Sequence, residues 1–263
     1  MADAQASVYS PHSPHHRGSL SQHAYLVIRD RILKGEIRLG ASLSRRKLAA
    51  ELNMSLLPVS EALQRLENDG VVESVPRVGT RVCLPTPQDI RERYEIREAL
   101  ESQSARLFAE RATPAQRSEL QRLGRQVDQL FGRMASSGDD PAFRFDVHSH
   151  HVRLHMHIAE HAGSALLREM IETNHVLVLN WLFDVVGRRT PLPPRFHSEL
   201  VEAIVSGDPA RADAAMRAHV RYGLVEVTGR VGALTAAQWR ERPDARPALR
   251  SAAAARASRK AVP

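Results

Sequence analysis

Cysteine occurs once in this chain, at Cys83. A single thiol excludes an internal disulfide and fits a reducing compartment, the cytoplasm. No apolar run approaches the roughly 20 residues that a membrane-spanning helix needs. The leading residues, MADAQASVYSPHSPHHRGS, hold no apolar core of the kind a secretion signal requires. Lysine is almost missing: Lys34, Lys47 and Lys260 are the only three among 37 basic residues. The chain therefore carries its charge as arginine, at a net +7 and a pI near 10.2. Guanidinium suits two-pronged phosphate contact. The basic excess favours a polyanionic partner and says nothing about fold. A length of 263 residues, 43% of them hydrophobic and 25% charged, suits a soluble protein of two domains with a real core.

The pattern divides the chain. Residues 1–19, rich in Ser, His and Pro, read as a disordered tail, and residues 231–263 as a basic Ala/Arg/Pro tail. Residues 20–84 show three short helical patterns and then two strand-like pieces. The third helix places Val59, Ala62, Leu63 and Leu66 at i, i+3, i+4 and i+7, with Ser55 as N-cap, Pro58 in its first turn and Gly70 as its stop. VVESV and TRVCL follow, joined by Pro76, Arg77, Val78 and Gly79, a hairpin pattern. Helix, helix-turn-helix and a two-stranded wing make a winged-helix DNA-binding domain. Residues 85–88 read as a linker, punctuated by Pro85 and Pro87. Residues 89–230 read as helix throughout, over 89–112, 114–135, 141–162, 164–186, 195–206 and 208–229, with starts marked by Thr113-Pro114 and Asp208-Pro209. With no strand signal and no glycine-rich phosphate loop, this half should be an all-α bundle. The fold class is mainly α.

Six of the 13 histidines fall between 148 and 161. At about 100° per residue, His151 and His155 lie on or beside the apolar face of Val147, Leu154, Ile158 and Ala162. They form an inward i, i+4 pair, the spacing of helix-borne metal ligands. His157 and His161 lie on another flank. His197 shares a face with Leu200, Val201 and Ile204, and His219 with Met216, Val220 and Gly223. Four imidazoles thus point into one bundle. The pair Asp146 and His150 offers an alternative register, against which the helical face argues.

The chain resembles the GntR family of bacterial transcription regulators, in the FadR-like branch whose C-terminal half is the helical, ligand-binding FCD domain. The likeness rests on ILKGEIRLGASLSRRKLAAELNMSLLPVSEALQRLENDGVVE with PRVGTRV, and on YEIREALESQSARLFAERAT, LHMHIAEHAGSALL and HSELVEAIVSGDPARADAAMRAHV. It implies a homodimer that binds operator double-stranded DNA and answers to a small carboxylate. It also implies DNA contacts from the helix-turn-helix and wing: Arg45, Arg46, Lys47, Ser55, Leu56, Leu57, Ser60, Arg65, Arg77, Gly79 and Arg81. The family usually carries Glu at Arg45 and Arg at Leu56 and Ser60, so the operator sequence should differ. Leu56 and Leu57 either pack on thymine methyls or cover the second helix and wing. An Asp and three His commonly hold a divalent metal in this family. Here those positions are His151, His155, His197 and His219, and four imidazoles favour zinc or nickel. With His at the Asp position, the ion's 2+ charge should be uncompensated. Arg97 is the effector-binding position that the resemblance implies, with Tyr94, Asn174 and His175 on weaker grounds. Arg97 either grips a carboxylate or pairs with Glu101 on a solvated face.

The expected function is a ligand-responsive transcription regulator, a repressor, sensing a small carboxylic acid at a metal-containing pocket. A direct metal sensor is the alternative. A metal-dependent hydrolase is a weaker one, because no carboxylate general base sits at motif spacing to these histidines.

Overall fold

The computed structural model describes residues 20–75, 79–83, 86–136, 140–174 and 192–239. The first part runs α1 (Leu20–Leu33), β1 (Ser42–Leu43), α2 (Arg45–Glu51), α3 (Leu56–Asn68), β2 (Val72–Val75) and β3 (Gly79–Val82). Helix α3 buries Val59, Ala62, Leu63 and Leu66, the stripe its spacing demands, and α1 buries Ala24, Ile28 and Ile32. Tyr25 donates to Asp69 at 2.7 Å and ties α1 to the end of α3. The sheet has three strands rather than two, in the order β1-β3-β2, all antiparallel. Strand β1 pairs Ser42 with Arg81 and Leu43 with Thr80. Two residues are too short to show a period of two, which is why the pattern does not reveal it. Gly79 opens β3 at φ +96°, a conformation that a side chain would strain. Pro76, Arg77 and Val78 lie outside the described residues.

The second part is helical: α4 (Pro87–Arg111), α5 (Pro114–Ser136), α6 (Pro141–Glu160), α7 over 165–174, α8 (Phe196–Val205) and α9 (Pro209–Trp239). Helix α4 starts two residues before the expected 89. Thr86 and Asp89 form a reciprocal capping box around Pro87, and a proline whose missing N–H would have no partner belongs in a first turn. Of the expected 164–186 helix, residues 175–186 lie outside the described residues. Helix α9 outruns its expected end at 229 and takes the first part of the expected tail, 231–239. The helix runs through Gly229 and Gly232, since an isolated glycine costs a helix only about 1 kcal/mol. The rest of both tails lies outside the described residues.

Helices α4, α5, α6, α8 and α9 bury Phe108, Leu120, Leu123, Leu154, Ile158, Ile204 and Met216. Gly124 of α5 lets α8 approach: a Cβ there would stand 3.0 Å from a Val201 methyl. Asp128, one turn further along α5, caps α8 from outside, accepting from the backbone N–H groups of His197 and Ser198 at 2.9 Å each. These two helices therefore fix where His197 stands.

Candidate metal centre and DNA-binding surface

Three of the four expected histidines meet inside the bundle. The Nε2 atoms of His151 and His155, one turn apart on α6, are 3.0 Å apart. His219 of α9 brings its Nε2 to 3.3 Å from His151 and 3.2 Å from His155. A tetrahedral zinc with nitrogens at 2.0–2.1 Å sets neighbouring ligands about 3.3–3.4 Å apart. The trio is thus spaced as a ligand set before any ion is considered. His197 is not one of the three whose ligand atoms lie within 4.8 Å of one another, although its ring packs about as closely as theirs do. Its ring centre is 4.9 Å from that of His151 and 5.5 Å from that of His219. The ring stacks on Phe131 at 5.1 Å.

The protonation states fit ligation. Burial, reinforced by the neighbouring imidazoles, pushes His151 and His219 well below the ordinary histidine value, so both rings are neutral. His155 Nδ1 lies 2.6 Å from Glu101 Oε2, and His197 Nδ1 lies 2.8 Å from Asp128 Oδ1. The ionised Asp128 only accepts, so the His197 ring proton stays on Nδ1 and its Nε2 keeps a lone pair. Burial alone would raise the Asp128 carboxyl. The bonds from His197 and Ser198 outweigh it and hold the group at about 2.

These carboxylates correct one expectation. An ion among the imidazoles would not face its 2+ charge alone, since Glu101 and Asp128 stand one ring behind. Neither stands out in the sequence. Glu101 sits at i+4 from Arg97, a pattern that looks the same on a wet face as in a core. Asp128 meets His197 across 69 positions, which no local spacing reveals.

Arg97 does pair with Glu101, Nε to Oε1 at 2.6 Å, but inside the protein: the residues are 5% and 2% exposed. Burial works against the guanidinium charge and Glu101 more than restores it. The guanidinium also lies over the Tyr94 ring at 4.9 Å. Asn174 is buried, donates to the Arg93 carbonyl at 3.2 Å, and leaves its Oδ1 without a partner among the described residues. Tyr94, Arg97 and Asn174 therefore gather along α4, one to two turns from the Glu101–His155 contact. His175 lies outside the described residues. The alternative pair, His150 and Asp146, is 3.4 Å apart with the Asp146 side chain 54% exposed, on the surface.

On the other domain, α3 presents its N-terminal turn to solvent. Leu56 is 49% and Leu57 68% exposed. Ser55 occupies the N-cap position, yet its side chain makes no cap bond. At about 100° per residue, Leu57, Ser60, Glu61 and Gln64 share one outward stripe. Glu61 and Gln64 are exposed, and their i+4 and i+7 spacing from Leu57 places them on this stripe. Gln64 can pair with an adenine edge, and Glu61 can accept from a cytosine amine. Arg45, Arg46 and Lys47 are exposed in the first turn of α2, where the helix dipole favours anions over cations. Phosphate would relieve that conflict. Two expected cations are engaged elsewhere. Arg65 bonds Gln22 and lies over the Tyr25 ring at 4.1 Å, against α1. Arg81 pairs with Glu73 across the hairpin at 2.6 Å, only 17% exposed. Arg77 lies outside the described residues. Among the described residues no helix is long and apolar enough to cross a membrane.

Known proteins share this two-part plan. The family model for bacterial regulatory proteins of the gntR family matches residues 20–82, and the FCD domain model matches residues 92–222. A probable D-xylose utilization operon transcriptional repressor of Paenarthrobacter nicotinovorans is 31% identical over 211 residues, covering 78% of this chain and 88% of that one. An HTH-type transcriptional regulator of Agrobacterium vitis is 38% identical over 86 residues, 33% of this chain and half of that protein. Among solved structures, a putative transcriptional regulator GntR from Rhodococcus sp. RHA1 superposes with a TM-score of 0.67 at 21% identity, covering 81% of this chain and 99% of that one, a likeness of fold.

Proposed function

The chain belongs to the GntR family of DNA-binding transcription regulators, with an FCD domain, and is not an enzyme; on that premise we propose that it is a repressor whose operator binding answers to a small carboxylic acid at a metal centre. One observation carries the metal: three imidazoles inside the bundle with Nε2 atoms 3.0–3.3 Å apart, two of them, His151 and His219, held neutral. His151, His155 and His219 would hold the ion, with His197 beside them as a fourth donor. An all-imidazole set favours zinc or nickel. When bound, the ion supplies a positive centre for an effector carboxylate. Arg97 and Tyr94 line the approach along α4, and Arg97 passes the influence of a nearby anion to His155 through Glu101. The repressor sign is supported by the name of the Paenarthrobacter relative. The functional unit we take to be a homodimer, since helix-turn-helix proteins of this kind read two half-sites with two copies.

The test uses an operator duplex selected from a random library, titrated by fluorescence anisotropy with metal-loaded and chelator-stripped protein. Organic acids should shift the affinity of the loaded protein and leave the stripped protein unmoved. A protein released from DNA by chelation alone, and indifferent to every acid, would be a direct metal sensor instead.

The exposed leucines give a separate expectation. If Leu57 packs on a thymine methyl, replacing that thymine by deoxyuracil should weaken binding by about 0.8 kcal/mol, the worth of one buried methyl-sized group. Leu57→Ala should erase the difference. Equal losses in both proteins would remove Leu57 from the base-reading surface.

A further inference from the structure

The last turn of α6 carries a second group of ligand-type side chains. At about 100° per residue, the centre of the His157, Glu160 and His161 group lies roughly 150° around the helix from that of the His151/His155 pair. One ligand atom from each of the three lies within 4.8 Å of the others. His157 Nε2 is 3.0 Å from the Gln116 carbonyl. A carbonyl can only accept, so the ring proton is on Nε2 and Nδ1 keeps its lone pair. His161 Nδ1 is buried without a hydrogen-bond partner among the described residues. Such orphaned buried atoms are uncommon and call for an explanation. The two rings stack at 4.4 Å and rest on Phe108, with centres 6.0 and 6.5 Å from it. Packing accounts for the stacking but not for the orphan nitrogen. Glu160, exposed at the same turn, adds a carboxylate free to swing inward.

We propose that His157, Glu160 and His161 form a second divalent-metal site of zinc type, separate from the His151 centre and weaker than it. Two imidazoles and a carboxylate, with solvent at the open side, are a zinc donor set. The buried His161 Nδ1 has no hydrogen-bond partner among the described residues for an ion to displace, and the Gln116 carbonyl orients His157 as an outer partner does in metal sites. The site is weaker because one of its ligands, Glu160, is an exposed side chain, whereas the His151 trio is already gathered inside the bundle. Ordering the exposed Glu160 side chain adds an entropic cost. Bound metal would stiffen the end of α6, where His157 already reaches the Gln116 carbonyl, Gln116 caps α5 by reciprocal bonds with Thr113, and Arg111 donates to the Ala162 carbonyl at 2.8 Å. The proposal stands whether or not the first centre governs operator binding.

Calorimetric titration of the full, chelator-stripped chain with zinc tests it. Two classes of site are expected, a tight one and a weaker one. Glu160→Gln and His161→Asn should each weaken the second step tenfold or more and leave the first unchanged. Glu160→Gln, at an exposed position, guards against a folding failure in the other variant. Because His12, His15 and His16 of the N-terminal segment could also take zinc, a full chain with all three changed to Asn is the control. A weaker step that survives in that control and is lost in Glu160→Gln supports the site. A single class of zinc in the wild type, or a weaker step lost only with the three N-terminal histidines, would overturn it.

Discussion

Glu101→Ala should cost the protein about 3–5 kcal/mol of stability and 10–100-fold in metal affinity, because the carboxylate serves two buried partners at once. It bonds Arg97 at 2.6 Å and stands 2.6 Å from His155 Nδ1. Removing it strands a guanidinium in the core, which is why the expected loss far exceeds that of an exposed i, i+4 pair, worth tenths of a kcal/mol. His155 is also left without the carboxylate that stands 2.6 Å from its Nδ1. Denaturant midpoints and zinc competition separate the two effects. Glu101→Gln sharpens the comparison: the amide keeps the shape and still accepts from Arg97, so metal affinity should fall with a smaller loss of stability. Full zinc affinity in both variants would show that Glu101 serves only the ion pair.

Arg46→Ala is the second large effect. Arg46 lies exposed in the first turn of α2, beside Arg45 and Lys47. Removing one cation from the phosphate backbone should reduce the slope of log affinity against log salt by about one and weaken binding across all sequences. At low salt a loss of about tenfold is expected for Arg46→Ala, more for the double change with Arg45. Arg65→Ala and Arg81→Ala should leave the slope nearly unchanged, since α1 and Glu73 already occupy those guanidiniums. Salt titrations of these variants and the wild type on one duplex check the pattern. A flat response to Arg46→Ala with a steep response to Arg81→Ala would move the phosphate contacts from α2 to the wing.

Sequence and site correspond unevenly. The helices are legible because their boundaries carry local chemistry: Thr113-Pro114 and Asp208-Pro209 mark starts, and the Val59-to-Leu66 spacing marks a buried face. Strand β1 is not, being two residues held by pairing with β3, a contact made across the whole winged domain. The histidine trio is legible in part. His151 and His155 declare themselves at i, i+4, whereas His219 needs α9 to fold back along α4 before it reaches them. Helical spacing puts His197 on the correct face, but a face does not set an orientation, and it is Asp128 that orients its ring. Arg97 shows the limit most clearly. The sequence offers a ligand anchor or a solvated ion pair, and the structure has a third arrangement, a buried ion pair that continues into a histidine.

Metal content per chain most directly tests the claim that the bundle is built around an ion. Protein purified without chelator and dialysed against a weak one should retain one tightly held zinc or nickel per chain, and His151→Ala and His155→Ala should retain none of it while staying folded by circular dichroism. A wild-type chain that holds no metal under these conditions, or a His155→Ala chain that keeps its full complement, would contradict the account.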